Sequence, residues 1–185
     1  MGLDRGTHTL GPGDGTLTVL TGKGGAAAKA GHNLVIEVTR WSAKLEVGEG
    51  ISMALMADPR SLRVVDGSGG ISPLGDEEKT GIAQTIDDEV LKGLPIRFRS
   101  NAVAAQGSRL DVQGELELMR VRHPIEFALN VADDGRLTGS AMVKQTEWKM
   151  KPFAALFGTL KVADVVEITI DALIPAVAPV GERHG

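Results

Sequence analysis

Apolar and polar residues alternate one for one through the middle of the chain. Ile96, Phe98, Ser100 and Ala102 alternate with Arg97, Arg99 and Asn101. Leu110, Val112, Gly114, Leu116 and Leu118 alternate with Asp111, Gln113, Glu115 and Glu117, and Ile125, Phe127, Leu129 and Val131 alternate around Glu126 and Asn130. A period of two belongs to a strand with one buried face and one wet face. Three such runs joined by short polar links predict an antiparallel meander whose inner face carries no charge.

The same pattern extends to both sides. Residues 16–21 read as a strand with Leu17 and Val19 inward, and residues 33–41 as another with Leu34, Ile36 and Val38 inward. Ala43, Leu45 and Val47 give a third strand. Ile51, Met53 and Leu55 give a fourth, expected to resume through Leu62 and Val64 after the Asp58-Pro59 break. Residues 67–75 read as a loop. From Asp76 to Leu91 the period changes: Ile82, Ala83, Ile86 and Val90 fall at helical spacing, with Asp76, Glu77 and Glu78 at the positive end of the helix dipole. Strands resume with Leu137, Gly139, Ala141 and Val143, and again over residues 165–173. Between them, residues 148–158 are apolar and aromatic, and a short helix is expected from Pro152. Residues 1–13 read as a flexible arm, 14–175 as the domain and 176–185 as a tail.

The fold class is therefore all-β and antiparallel, a sandwich or a barrel, with about eight strands and one or two short helices. Ser100, Ala102, Gly114, Gly139, Ala141 and Ala172 are small and on the predicted inside. That favours a barrel with room for a ligand, unless facing large residues fill the space.

Composition narrows the function. Net charge is −4 and no basic face is concentrated, which argues against nucleic acid as a partner. Cysteine is absent, so disulfides and thiolate metal sites are excluded. No run is long and apolar enough for a membrane-spanning helix or a signal peptide, so a cytoplasmic protein is expected. His8, His32, His123 and His184 form no metal pair at strand or helix spacing, and no cofactor motif is present. The sequence T-G-K-G-G is not a phosphate loop, because Lys23 is followed by Gly24 rather than a hydroxyl residue.

Four stretches taken together resemble the YceI-like family. They are G-H-N-L-V-I-E-V (31–38), L-x-x-x-P-I-R-F-R-S (91–100), V-Q-G-E-L-E-L-M-R-V-R-H-P-I-E-F-A-L-N-V (112–131) and K-P-F-A-A-L-F-G-T-L-K-V-A-D-V-V-E-I-T-I (151–170). The resemblance implies a lipocalin-like antiparallel barrel around a long apolar tail, typically a polyisoprenoid. Aliphatic residues such as Ile36 stand where the family's first motif usually has an aromatic one. Gln145-Thr146-Glu147-Trp148 stands where many members carry an Arg and an Asp-Phe-Gly.

On this reading the cavity wall is expected from Leu34, Ile36, Val38, Phe98, Gly114, Leu116, Phe127, Leu129, Ala141, Val143, Ile168 and Ile170. Arg40, His32 and His123 are rim residues that could meet a head group, and Trp148, Phe153 and Phe157 a plug or lid. The expected function is non-enzymatic binding, transport or storage of an isoprenoid lipid or quinone. Two alternatives remain: an interaction module with a filled barrel, compatible with a homodimer, and an enzyme acting on a lipid-like substrate. No catalytic residue stands out for the last, since Cys is absent and no Ser nucleophile elbow is present.

Overall fold

A computed structural model describes residues 3–24, 32–70, 72–155 and 160–177. The strands, in chain order, are β1 (Gly6–Leu10), β2 (Gly15–Thr21), β3 (Lys23–Gly24), β4 (His32–Val38), β5 (Trp41–Val47), β6 (Ile51–Ala57) and β7 (Leu62–Gly69). After helix α1 (Asp76–Thr85) come β8 (Ile96–Gln106), β9 (Arg109–Leu118), β10 (Val121–Val131), β11 (Arg136–Lys144), β12 (Ala154–Ala155), β13 (Leu160–Val162) and β14 (Val165–Leu173). Eleven strands form one antiparallel sheet in the order β1-β5-β6-β8-β9-β10-β11-β14-β2-β4-β7, and β12-β13-β3 form a small second sheet. The large sheet curls into a half-barrel with β1 and β7 as its free edges. Helix α1 packs on β7 and covers that edge, one of the ways a protein keeps an exposed strand from pairing elsewhere.

The meander forms as its alternation predicts. Leu116 lies opposite Phe98, Gly114 opposite Ile125, and Val112 opposite Phe127. The inward parity of β8 fails at one place. The register shifts between Ser100 and Ala102, so Ala102 is turned out to solvent and Val103 takes the inward position opposite Val112. A bulge of one residue reverses every later side chain in the strand. Ser100 sits at the shift, where its Oγ accepts a hydrogen bond from the Met53 backbone N–H at 2.8 Å.

Three other expectations need correction. Residues 6–10 are a paired strand rather than a loose arm: β1 lies along β5, and His8 and Leu10 are buried. Leu62 and Val64 do not continue the strand of Ile51–Leu55. They open β7, which pairs with β4 at the far edge of the sheet and runs on through Gly69 into the expected loop. No helix starts at Pro152. A short 3-10 turn, Gln145–Trp148, precedes it, and Ala154 and Ala155 pair with β13.

The helical expectation over residues 76–91 is met in two parts. Residues 76–85 are α-helical, and Ile86–Leu91 continue as a wider π-helical segment. Glu78 closes the first turn by accepting the Gly75 N–H at 2.8 Å, a capping contact from the third helical residue. Lys92, in the left-handed region at φ 52°, ends the segment.

The core divides by position along the barrel. At one end, Leu17, Val38, Leu110, Val112, Val131, Leu137 and Ala172 pack against Leu10, Trp41 and Leu45 from the β1-β5-β6 layer. At the other, Leu91, Leu116, Leu118, Ile125, Val143, Trp148 and Met150 form one cluster, and Leu34, Ile36 and Val64 form a second. Ile86 touches both of these clusters, so the helical segment bridges the gap between the two arms of the half-barrel.

Candidate functional site

Between those last two clusters lies a cavity of about 580 Å³. It falls within the roughly 300–1,000 Å³ range of small-molecule sites. Its strand walls are Val19 of β2, Leu34, Ile36 and Val38 of β4, Leu118 of β9, Val143 of β11, and Val166 and Ile168 of β14. These are inward positions of successive strands, the arrangement that the period of two dictates. Its other wall is helical: Ile82, Ile86, Val90 and Leu91, with Leu74 before the helix. No α1 residue is fully buried: Ile82 and Ala83 pack partly against Leu34, Ile36 and Val64, and Ile82 also borders the cavity. Met150, Phe153 and Val162 border it from the segment that follows β11.

Polar groups around the cavity are few and already partnered. Thr21 Oγ1 accepts the Leu34 N–H at 3.2 Å, and Thr85 Oγ1 donates to the Gly81 carbonyl at 3.0 Å. His32 Nε2 lies 2.7 Å from the Ser72 carbonyl, and Gln145 Nε2 donates to the Ala163 carbonyl at 3.2 Å. Glu78 is the one charged residue among the described lining, and its Oε2 holds the helix N-terminus. Among the described residues no group of His, Asp and Glu is arranged to hold a metal ion.

Of the twelve positions expected in the wall, Leu34, Ile36, Val38, Val143 and Ile168 line the cavity. The others pack elsewhere. Phe98 and Phe127 pack with their rings tilted at 59° and centroids 5.3 Å apart, and both residues touch the two core clusters. Leu116, Leu129, Ala141 and Ile170 belong to the core clusters rather than the wall. Gly114 leaves no empty space: a Cβ there would fall 2.6 Å from the Phe98 ring and 2.4 Å from the Arg99 carbonyl oxygen. Gly139 is likewise covered by Leu129. Facing large side chains fill the room that these small residues suggested. Val19 and Val166, which share the inward parity of their strands, and the helical wall were legible in the sequence but were not assigned to the site.

Only His32 of the expected rim residues borders the cavity. Arg40 lies at the other end of β4, two-thirds exposed, in an ion pair with Asp58 at 3.0 Å. The His123 ring packs at a tilt of 56° against Trp148, with centroids 4.9 Å apart, and its Nδ1 lies 2.8 Å from the Pro124 carbonyl. Trp148 is a fixed plug rather than a lid: it is 1% exposed and its Nε1 donates to the Leu116 carbonyl at 2.7 Å. The turn that carries it is held by Asp164, which accepts from Thr146 N at 2.9 Å and Thr146 Oγ1 at 2.6 Å. Those bonds hold the Asp164 carboxyl below the usual aspartate range. Phe153 does border the cavity and is 38% exposed. Phe157 lies outside the described residues.

Comparison with known proteins agrees with this fold. The structure is similar to crystal structures of BcnA from Burkholderia cenocepacia (TM-score 0.64, 16% identity, 88% of this chain and 96% of that one). It is also similar to a mutant of the CJ YceI protein made for nanotechnology applications (TM-score 0.54, 11% identity, 76% and 84%). A second mutant of that protein, with a monobromobimane guest, matches at TM-score 0.51 and 11% identity over the same shares. At these identities the likeness is one of fold. No curated protein sequence matches. The family model of the YceI-like domain matches residues 89–173, from the π-helical segment through β14. Residues 89–173 are thus similar to the YceI-like domain, and the fold of the described residues is like that of these neighbours.

Proposed function

We propose that the protein binds a long apolar small molecule, an isoprenoid lipid or quinone, in this cavity and carries or stores it without a chemical step. The observation behind the proposal is the wall itself: aliphatic side chains on nearly every side, with the few polar groups already bonded to backbone. Binding then comes from apolar area removed from water, at about 25 cal/mol per Å². Head-group contacts contribute little, because His32, Thr21, Gln145 and Glu78 each hold a protein partner. The same engagement speaks against an enzyme, which needs a free titratable pair facing its substrate.

Titration with the apolar dye N-phenyl-1-naphthylamine, followed by displacement with a prenyl alcohol, tests the proposal. Wild-type protein should take up the dye and release it to the alcohol. Ile168→Trp, which fills the cavity from β14, should weaken dye binding at least tenfold while the circular dichroism of the sheet is unchanged. Undiminished binding in Ile168→Trp would place the dye elsewhere and remove the support for this cavity.

A further inference from the structure

A long apolar ligand is scarcely soluble in water and partitions into lipid, and the segment after β11 carries the features of a surface that meets a bilayer. Its root is rigid, fixed by the Trp148–Leu116 hydrogen bond and by Asp164 on Thr146. Beyond the root, Lys149 adopts the left-handed conformation, with φ 57°, and the next side chains alternate in direction. Met150 turns in and borders the cavity, while Lys149 and Lys151 are exposed and have no ion-pair partner among the described residues. Phe153 follows, exposed to solvent and lining the cavity at the same time. Residues 144–162 contain four lysines and one acidic residue, in a chain of net charge −4. The helical segment on the opposite wall is acidic, with Asp76, Glu77, Glu78, Asp87, Asp88 and Glu89.

We propose that Lys149, Lys151 and Phe153 form a docking face for an anionic lipid bilayer, from which the cavity is loaded. The proposal rests on the cavity being a binding site for an apolar ligand. Lysines near an anionic leaflet are attracted to its surface potential, and an adjacent aromatic ring enters the interfacial layer. The long lysine stems lie along apolar surface while their ammonium groups reach the phosphates. The acidic helix is repelled by the same surface, so the two walls together fix which side faces the membrane. Phe153 then joins the bilayer to the cavity: its ring contacts lipid at one side and the empty interior at the other.

Flotation of ligand-free protein with vesicles tests docking separately from binding. Vesicles of phosphatidylcholine and phosphatidylglycerol in equal parts should carry the protein at low salt, release it at high salt, and outdo vesicles of phosphatidylcholine alone. Each lysine removed should lower partitioning about fivefold, so Lys149→Glu with Lys151→Glu should abolish flotation. Dye uptake by this double variant, measured without vesicles, should match wild type, since neither lysine lines the cavity. Absence of flotation in wild type, or flotation undiminished in the double variant, overturns the docking proposal. Loss of dye uptake in wild type would instead overturn the cavity reading, whatever the flotation result.

Discussion

The two ends of the half-barrel are built from the same alternating strands yet do different things with their inward side chains. At the packed end, Leu110 and Val131 are fully buried and Val112 is 1% exposed, because the β1-β5-β6 layer folds across and fills the space. At the cavity end the described residues place no layer like β1-β5-β6 across the opening, and only Val162 of the small sheet borders it. The helical segment lies across it, and Ile82, Ile86 and Val90 pack only partly on the facing side chains and otherwise border the cavity. The contrast shows that strand parity sets which side chains face inward, while the element that covers the open side decides whether that interior is a core or a container.

The largest expected difference between the ends is in cavity-forming substitutions. Leu110→Ala should lose about 2–5 kcal/mol, since its surroundings are close-packed and cannot collapse fully. Ile82→Ala in α1 should lose about 1 kcal/mol, because its side chain is only partly buried against Leu34, Ile36 and Val64 and alanine suits a helix. Urea denaturation of both variants checks the pair, and equal losses would erase the distinction. Gly114→Ala should lose about 1–3 kcal/mol, since the Phe98 ring and the Arg99 carbonyl must both move.

At the packed end, His8 ties the two termini together. Its Nδ1 lies 2.9 Å from the Pro175 carbonyl and its Nε2 2.8 Å from the Asp4 carbonyl. His8→Ala should lose about 1–3 kcal/mol and speed amide exchange in β1 ahead of the rest of the sheet. At the cavity end, Trp148→Phe should lose about 1 kcal/mol, from the unmade hydrogen bond to Leu116. The smallest effect is on acid stability. The Asp164 pKa is lowered in the folded state by its bonds to Thr146, so its contribution is fully present above the unfolded aspartate value, about 3.9, and fades as pH falls through the folded value. Asp164→Asn should flatten the acid limb of the stability profile slightly.

The meander, the helix at residues 76–91 and the late strands were legible because long runs kept one period. The failures have local causes. A one-residue bulge at Asn101 has no compositional mark, so Ala102 could not be seen to turn outward. β1 is short and rich in Gly and Thr, and only its pairing with β5 and the packing of Leu10 make it a strand. Small residues on an inner face suggest free space, whereas Gly114 and Gly139 are small because Phe98 and Leu129 lie over them. Parity alone cannot report which facing residue fills a gap, and the wall supplied by the helix is a matter of tertiary placement. His32 opens β4 and Arg40 lies in the turn beyond its other end, and parity carries no sign of which end is open.

Native mass spectrometry of gently purified protein, followed by solvent extraction and identification of any bound molecule, tests the central claim most directly. A stoichiometric adduct of an apolar prenyl-chain compound is expected, or its uptake on addition to ligand-free protein, with loss of both in Ile168→Trp. A clean ligand-free mass that stays unchanged when prenyl alcohols and quinones are added would contradict it.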